Sequence, residues 1–424
     1  MSIKILITDP LSDKGIEYLK KSGLEVIYLP NSSIDEIQIY LADISGWIIR
    51  SGTKISNQNI CDAKKLQIIG RAGVGTDNIE INSATKNGVI VMNVPDGNTI
   101  SAAEHTIAMM MSLSRNIHLG HMSLISGKWD RNKLVGNELR GKNLGVVGLG
   151  KIGREVIKRA LSYDMKILGY DPFVSQDSFD ENEVKIISID KLTKISDYIT
   201  LHVPMITSTK NLFDLNRLKM MKPSAKIVNV ARGGILNEED LTYALNNDII
   251  SGAALDVFVN EPLDRKSSLL NAKNILLTPH LGASTYEAKE GVSLGICNQV
   301  IEYFSHKKLI NALNIPVSDS IILKKMAPYY ELTEKMGNIL SQLSEGPIKE
   351  MKIICYGKAL DSKSISLVLI KSVLSNIIDQ RVNMVNADII AKERNIKFSH
   401  TYKNDGIPFS SLIKCIIKTE IGKF

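Results

Sequence analysis

Three side chains in the middle of the chain have the types needed to move a proton beside an acid group. They are Arg232, which two glycines follow, Glu261, which a proline follows, and His280, which a proline precedes. An arginine can hold a carboxylate through two parallel hydrogen bonds. A histidine bonded to a carboxylate has a fixed tautomer and suits a general base. Taken singly, the histidine is explained as a hydrogen-bonded or surface residue, the glutamate as part of a turn, and the arginine as a surface ion pair.

A glycine-rich turn lies upstream, where Gly148, Gly150 and Gly153 separate an apolar strand pattern from a helical one. The first glycine permits a tight turn, the second lets the backbone approach a pyrophosphate, and the third lets helix and strand pack closely. The helix N-terminus then offers N–H groups to the anion. Asp171 ends the next predicted strand, 18 residues after Gly153, near the expected position of an acid that binds a ribose 2′-hydroxyl.

These features together predict a dinucleotide site, and the carboxylate favours NAD over NADP because it would repel a 2′-phosphate. Hydride transfer to a nicotinamide requires a base, an anchor for the acid and a residue that orients the base, which are the roles open to the three residues above. Lys151 could contact the pyrophosphate or be a solvated loop lysine. His118 and His121 are three residues apart on a predicted helix, but no carboxylate or cysteine completes a metal site, so we predict no metal.

Short β-branched runs alternate with helical stretches, a pattern typical of parallel α/β sheets, in which ligands bind beyond the strand carboxyl ends. The predicted strands before the glycine turn are Ile3–Thr8, Glu25–Leu29, Gly46–Arg50, Leu66–Gly70 and Val89–Asn93. Those around and after it are Asn143–Val147, Lys166–Asp171, Tyr198–Val203, Lys226–Val230, Gly252–Val257 and Asn274–Thr278. Three polar or glycine-rich loops follow strands of the first set: Arg50–Gly52, Arg71–Gly75 and Asn93–Gly97.

The pattern divides the chain into three regions. Residues 98–278 form a Rossmann NAD-binding domain, and a long predicted helix, Ser284–Phe304, returns the chain to a first domain made of residues 1–97 and 279–312. Residues 313–424, which begin with a linker at Ile315-Pro316, form a small α+β module. Its predicted elements are helices near Ala327–Leu343 and Ser364–Asp379 and strands at Ile348–Tyr356 and Pro408–Glu420.

Composition indicates a globular protein without a nucleic-acid or membrane role. The 424 residues are 44% hydrophobic, 23% charged and 5% aromatic, with a net charge of +7. Basic and acidic residues are interleaved, which argues against nucleic acid, and no apolar stretch approaches the ~20 residues of a membrane span. The four cysteines show no metal spacing and fit a reducing compartment, so we expect the protein in the cytoplasm.

The glycine turn, Asp171 and the three polar residues, taken with their neighbours, resemble the D-isomer-specific 2-hydroxyacid dehydrogenases. Within that family the resemblance is greatest to members that act on 3-phosphoglycerate. It rests on the stretches Arg50–Lys54, Gly70–Asn78, Asn98–Glu104, Trp129–Lys133, Ala253–Val257 and His280–Thr285. It covers residues 3–312 and continues more weakly to the end.

The resemblance implies an α/β fold of two doubly wound parallel-sheet domains, a flavodoxin-like substrate domain and the Rossmann domain. It implies NAD-dependent oxidation of 3-phospho-D-glycerate to 3-phosphohydroxypyruvate, the first step of phosphorylated serine biosynthesis. His280 would be the acid/base, Glu261 its partner and Arg232 the carboxylate anchor. The implied cofactor positions are Val74, Gly148, Gly150, Lys151, Ile152, Gly153, Asp171, Val203, Val230, Ala231, Arg232, Asp256, His280, Gly282 and Ala283.

For the substrate, the resemblance implies contacts by Ser51, Gly73 and Gly75. Arg50 and Arg71 are the candidates for its phosphate, although Arg71 could equally form a structural ion pair. Arg131 resembles a residue that the family can donate across a dimer interface. A homodimer or homotetramer is therefore expected.

Two alternatives remain open. The same chemistry could act on glycerate/hydroxypyruvate or 2-hydroxyglutarate, or the protein could be a non-catalytic NAD-sensing scaffold, similar to co-repressors that share this fold.

Residues 316–424 resemble only the first part of the intervening domain of longer members, including Asn383–Asn386. No ACT domain is expected, and therefore no serine feedback through one.

Overall fold

The computed structural model describes residues 2–315, 320–404 and 409–424, and of residues 320–324 only the helical backbone is described. The described residues form two compact units. One comprises Met1–Gly97 and Glu290–Phe424, and the other comprises Asn98–Lys289. The three-domain boundaries drawn from the sequence stay a prediction.

The first unit begins with alternating strands and helices. They are β1 (Lys4–Ile7), α1 (Asp13–Lys21), β2 (Glu25–Tyr28), α2 (Ile34–Leu41), β3 (Gly46–Ile49), α3 (Asn57–Asp62), β4 (Ile68–Arg71), α4 (Ile81–Lys86) and β5 (Ile90–Asn93). All pairs are parallel, in the order β2-β1-β3-β4-β5. This is the flavodoxin-like order, whose inner strands are buried on both faces and therefore consist of continuous apolar runs. Serine side chains at Ser12, Ser33 and Ser56 cap α1, α2 and α3, which fixes where these helices begin.

The second unit begins with two helices, α5 (Thr99–Ser114) and α6 (Ile117–Ile125). Its sheet then runs through β6 (Asn143–Val147), α7 (Lys151–Leu161), β7 (Lys166–Tyr170), β8 (Val184–Ile186), α8 (Ile189–Ile195), β9 (Tyr198–Leu201), α9 (Leu215–Lys219), β10 (Lys226–Asn229), α10 (Glu238–Asn246), β11 (Gly252–Leu255) and β12 (Ile275–Leu277). Short 3-10 helices cover Arg131–Lys133, Gln176–Ser178 and Ser268–Asn271.

The seven strands of this unit pair in parallel, in the order β12-β11-β10-β9-β6-β7-β8. The strand order therefore reverses between β6 and β9, which is the point where doubly wound sheets bind their ligands. The strand β8 was not predicted, because three residues with a lysine at the centre carry too little pattern.

Helix α11 (Tyr286–His306) corresponds to the long helix predicted from the sequence. From Glu290 onward it belongs to the first unit. Val292, Ile296 and Val300 lie in one buried cluster with Ile5 and Ile7 of β1. The apolar face of this helix is thus part of the core of the five-stranded sheet.

The remaining elements of the first unit form a small α+β module. They are α12 (Ser320–Leu343), β13 (Ile348–Gly357), α13 (Ser362–Leu374), α14 (Ala387–Glu393), β14 (Lys397–Lys403) and β15 (Ser411–Thr419). The strand β13 is central, with β14 parallel and β15 antiparallel to it. The strand β14 was missed because its polar, largely exposed residues resemble a loop. The second predicted helix ends at Leu374 rather than Asp379, and Pro316 and Pro408 lie outside the described residues.

The predicted fold class is confirmed by the two parallel sheets and the mixed sheet of the module. Among the described residues no helix is long and apolar enough to cross a membrane. The same residues include no group of His, Cys, Asp and Glu side chains that could hold a metal ion.

Candidate active site

His280 and Glu261 form a direct hydrogen-bonded pair in the second unit. His280 follows β12 and Glu261 lies on the loop after β11, and Nδ1 of the imidazole is 2.6 Å from Oε2 of the carboxylate. The other carboxylate oxygen accepts from the N–H of Phe258 at 3.0 Å. Burial works against ionisation of Glu261, but the hydrogen bonds from His280 and Phe258 outweigh it and lower the pKa of the Glu261 carboxyl. An ionised Glu261 requires the hydrogen of His280 on Nδ1, which leaves the Nε2 lone pair available as a base.

The backbone at His280 is held in a strained conformation by a buried carboxylate. His280 has a φ of +56°, in the left-handed region that side chains other than glycine rarely adopt. Asp256, which is fully buried, accepts from the N–H of Leu281 at 2.7 Å and of Gly282 at 2.8 Å. The carbonyl of Gly282 accepts from the hydroxyl of Ser101 at 2.8 Å. Such a conformation persists only where the surroundings fix it, and these bonds do so.

Arg232 lies on the turn after β10, and sterics explain why the next residue is glycine. A Cβ on Gly233 would lie 1.9 Å from the carbonyl oxygen of Phe258, so only glycine lets this turn pass the loop that carries Glu261. Asn229 shapes the turn, because its side chain donates to the carbonyl of Arg232 at 2.8 Å. The guanidinium donates to the carbonyl of Ala231 at 2.6 Å. Arg232, Glu261 and His280, which we call the trio, therefore come from adjacent loops at one edge of the sheet.

In the glycine turn between β6 and α7, close packing requires Gly148 and Gly153, whereas Gly150 leaves the backbone open to a ligand. A Cβ on Gly153 would lie 2.2 Å from the carbonyl oxygen of Gly148, whose own φ is +97°. A Cβ on Gly150 would meet nothing within 4 Å, so its backbone faces open space. Helix α7 has no side-chain hydrogen bond at its N-cap, Gly150. Its first N–H groups thus remain suited to an anion.

Asp171 lies directly after β7, beside this turn. One carboxylate oxygen accepts from the N–H of Leu149 and the other from the N–H of Phe173, both at 2.9 Å. Each oxygen keeps a second lone pair for a hydroxyl. The open backbone at Gly150, the uncapped helix and this acid together fit NAD.

The other predicted cofactor positions of the second unit lie around the same strand ends. Val203 follows β9, where its side chain would be 3.0 Å from a Cβ on Gly148. Val230 follows β10 and would be 3.1 Å from a Cβ on Gly282. Lys151 and Ile152 open α7, whereas Ala231 and Ala283 stand beside Arg232 and Gly282. Val74 belongs to the first unit.

In the first unit, a second buried aspartate holds the loop of Arg50 and Ser51. Asp9 follows β1, is 4% exposed, and accepts from the N–H of Arg50 at 2.6 Å and of Thr53 at 3.1 Å. Asn78 donates to the carbonyls of the same two residues. Among the described residues, the buried Nε of Arg50 has no protein acceptor.

Arg71 ends β4 and lies over the glycines that follow it. A Cβ on Gly73 would be 1.7 Å from Nη1 of Arg71, and Gly73 has a φ of +152°. The carbonyl of Val74 accepts from the side chain of Asn93 at 2.7 Å, and Gly75 follows. The positive φ of Gly73 is a conformation that residues other than glycine rarely adopt, which explains the glycine at this position.

Within the part of the chain that the structure describes, one predicted site residue, Arg131, is not bonded to the trio, and the sequence analysis missed several residues that shape the site. Arg131 is exposed in its 3-10 helix, and among the described residues no hydrogen bond links it to Arg232, Glu261 or His280. Missed residues include Asp9 and Asn229, although each is a polar residue at the end of an apolar strand. Glu238, whose carboxylate accepts from the N–H of Val259 at 2.7 Å, had no such signal.

The fold and site define an NAD-dependent oxidoreductase: a Rossmann sheet, Asp171 beside its glycine turn, and the hydrogen-bonded pair of His280 and Glu261 with Arg232 at adjacent strand ends. A family model of the D-isomer specific 2-hydroxyacid dehydrogenase NAD-binding domain matches residues 107–282. A second, the D-3-phosphoglycerate dehydrogenase intervening domain, matches residues 325–424.

Curated relatives match almost the whole chain. D-3-phosphoglycerate dehydrogenase of Archaeoglobus fulgidus is 38% identical over 98% of this chain and 80% of its own length. The D-3-phosphoglycerate dehydrogenase of Methanocaldococcus jannaschii is 39% identical over 100% of this chain and 80% of its own length. That of Synechocystis is 41% identical over 94% of this chain and 72% of its own length. The chain belongs to the D-isomer-specific 2-hydroxyacid dehydrogenase family, among its D-3-phosphoglycerate dehydrogenases.

Solved structures agree on the fold. NAD-dependent formate dehydrogenase of Staphylococcus aureus in complex with NAD has a TM-score of 0.67 and 28% identity, covering 73% of this chain and 99% of that one. A glyoxylate reductase from Paecilomyes thermophila has a TM-score of 0.68 and 25% identity, covering 74% and 98%. The expected cofactor, NAD, is confirmed.

Proposed function

We propose that this protein oxidises 3-phospho-D-glycerate to 3-phosphohydroxypyruvate with NAD, the first step of phosphorylated serine biosynthesis. The observation that carries the proposal is the pairing of His280 with Glu261 at 2.6 Å, one strand end away from Arg232. The similarity to D-3-phosphoglycerate dehydrogenases along nearly the whole chain supports the choice of substrate.

In the proposed reaction Arg232 holds the substrate carboxylate and polarises the C2 oxygen beside it. His280 takes the C2 hydroxyl proton on Nε2, because Glu261 keeps the other ring nitrogen protonated. The ionised Glu261 also stabilises the imidazolium that forms. In the reverse direction the same Nε2 returns the proton.

The dinucleotide would be held by this chain's own backbone and one acid. Gly150 and the first turn of α7 would accommodate the pyrophosphate, and Asp171 would accept from the ribose hydroxyls. The cofactor supplies a nicotinamide that accepts the C2 hydride. The valines at the ends of β9 and β10 would line the nicotinamide side of the site, whereas Asp256, which is fully buried, would support it through the N–H groups of Leu281 and Gly282.

For the phosphate we propose Arg50 and Arg71, with the hydroxyl of Ser51 nearby, whereas backbone N–H groups around Gly73 and Gly75 would help hold the substrate acid group. Support comes from the loop of Arg50, which Asp9 fixes while the guanidinium Nε stays without a protein acceptor among the described residues. A guanidinium matches the geometry of phosphate oxygens. Arg131 stays a candidate for a contribution across a subunit interface.

The test is NADH oxidation by the purified protein with 3-phosphohydroxypyruvate, hydroxypyruvate, 2-oxoglutarate and pyruvate. We expect kcat/KM for the phosphorylated acid to exceed the others by about 10⁴, because a site built for an anionic group rejects analogues without it. A comparable or higher value on an unphosphorylated acid would reassign the substrate. Binding of NADH without turnover of any acid would contradict an enzymatic role.

We propose further that the protein works as a homodimer or homotetramer in the cytoplasm. Helix α6 buries none of its residues and exposes Ile117, Met122, Leu124 and Ile125, an apolar surface of the kind that subunits cover. All four cysteines are free thiols, as is usual in reducing compartments. Light scattering after size exclusion checks the assembly, and a monomeric mass at micromolar concentration would contradict it.

A further inference from the structure

His105 occupies a place in the second unit that the proposed reaction does not use. It lies in α5, with a side chain 19% exposed, and its Nε2 is 3.2 Å from Oδ1 of Asp256. The same nitrogen is 3.3 Å from the hydroxyl oxygen of Thr278. Asp256 and Thr278 follow β11 and β12, so one imidazole joins a helix to two strand ends.

The directions of these hydrogen bonds can be assigned. The hydroxyl of Thr278 donates its one hydrogen to Oδ1 of Asp256 at 2.6 Å, so towards His105 its oxygen can only accept. A carboxylate also accepts only. Nε2 of His105 must therefore carry a hydrogen, which it shares between Asp256 and Thr278.

These donors decide the charge of a fully buried carboxyl. Burial opposes ionisation of Asp256, but the hydrogen bonds from His105, Thr278 and the N–H of Leu281 outweigh it and lower the pKa of the Asp256 carboxyl. A buried carboxylate that loses a donor is costly. It would turn towards its remaining donors or take up a proton, and either change weakens its hold on the backbone.

The backbone that Asp256 holds is the segment next to the base. Leu281 and Gly282 directly follow His280, and the N–H of His280 itself donates to the carbonyl of Thr278 at 3.0 Å. His280 has a left-handed φ of +56°, so its ring is placed by this hydrogen-bonded segment rather than by the ordinary preference of its backbone.

We propose that His105 is a positioning residue for the reaction: by donating to Asp256 and Thr278 it fixes the segment 278–282 and thereby aims Nε2 of His280. The inference rests on the proposed function, in which His280 is the base. It assigns His105 no contact with substrate or cofactor. A displacement of the base by about 1 Å is enough to lower turnover about 100-fold.

The kinetic test compares His105→Leu, which removes the donor at similar volume, with His105→Gln, whose amide can place an N–H near the position of Nε2. We expect the Leu variant to lose about 10- to 100-fold in kcat with little change in KM, and the Gln variant to recover most of it. His306→Leu, a change at an exposed histidine of α11, is the matched control. In a His280→Gln background, His105→Leu should cost nothing further, because its effect passes through His280.

A second measurement does not depend on turnover. Amide hydrogen exchange of the segment 278–284 should be about tenfold faster in His105→Leu than in wild type, and near wild type in the Gln and His306 variants. Unchanged exchange or unchanged kcat in His105→Leu would overturn the proposal. So would an equal loss in the Leu and Gln variants with a lowered Tm, or an additive loss in the His280→Gln background, since both indicate a merely structural role.

Failure of the proposed function is distinguishable from failure of this inference. If wild type prefers another 2-oxo acid, the substrate assignment falls and the kcat comparison is made with that acid. If wild type turns over none, the exchange measurement alone decides whether His105 fixes the segment.

Discussion

Two loops of this molecule are held by the same device and carry different chemistry. In the first unit, buried Asp9 accepts from the N–H groups of the loop after β3, which presents Arg50. In the second unit, buried Asp256 accepts from the N–H groups of the loop after β12, which presents His280. In both cases a carboxylate at one strand end fixes the loop that follows the neighbouring strand.

The difference lies in what else each carboxylate contacts. Oδ2 of Asp9 accepts from two backbone N–H groups, and the loop it holds offers a fixed positive charge. Asp256 also accepts from the side chains of Thr278 and His105, and its loop offers a base with a carboxylate partner. A loop that only anchors an anion needs its backbone fixed, whereas a proton-transferring loop also needs one ring aimed. The loop of Arg50 should therefore control KM, and the loop of His280 should control kcat.

His280→Gln should have the largest effect. We expect kcat to fall by about 10²–10⁴, because glutamine cannot take the hydroxyl proton. KM for the 2-oxo acid should stay within a few-fold, since the anchoring arginines remain. Steady-state kinetics of NADH oxidation measure both constants. Normal turnover in this variant would show that His280 is not the base, and the contrast between the two loops would then be wrong.

Arg232→Lys should have the second-largest effect on activity. Lysine keeps the charge but loses the bidentate geometry, so kcat/KM should fall about 10- to 100-fold, equivalent to the ~1.5–3 kcal/mol of a charged hydrogen bond. The loss should appear with every 2-oxo acid of the panel, because each carries the carboxylate. A loss confined to the phosphorylated acid would place the phosphate, rather than the carboxylate, at Arg232.

Arg50→Gln should affect KM instead. We expect KM for 3-phosphohydroxypyruvate to rise about tenfold with kcat nearly unchanged, because binding to a remote phosphate contributes equally to ground and transition states. KM for hydroxypyruvate, which has no phosphate, is the internal control and should not change. An equal rise for both acids would exclude Arg50 as the phosphate ligand.

Much of this comparison could be predicted from the sequence. The glycine turn, Asp171 and the trio each carry a local signal, and apolar runs located every strand of the two parallel sheets except β8. Asp9 and His105 could not be assigned in this way. Asp9 follows an apolar strand, but that signal does not say which loop it holds, and a lone histidine has no pattern at all. The partners of the two residues lie 41 and 151 positions away in the chain. The strand β14 was missed for a related reason, because its identity depends on pairing with β13 rather than on its own polar residues.

Gly52→Ala should have the smallest effect and the most local cause. A Cβ at this position would lie 2.3 Å from Oδ1 of Asp9, which is buried and engaged by the loop, so the loop must shift. We expect a somewhat lower Tm and a KM for the phosphorylated acid raised about two- to fivefold, with kcat unchanged, because the base is held elsewhere. Gly291→Ala is the matched control, since the nearest heavy atom to its Cβ would be at 3.7 Å, an ordinary contact. A drop in kcat as large as that of His105→Leu would show that the Asp9 loop also aims the reacting groups, and the division between anchoring and aiming would then be wrong.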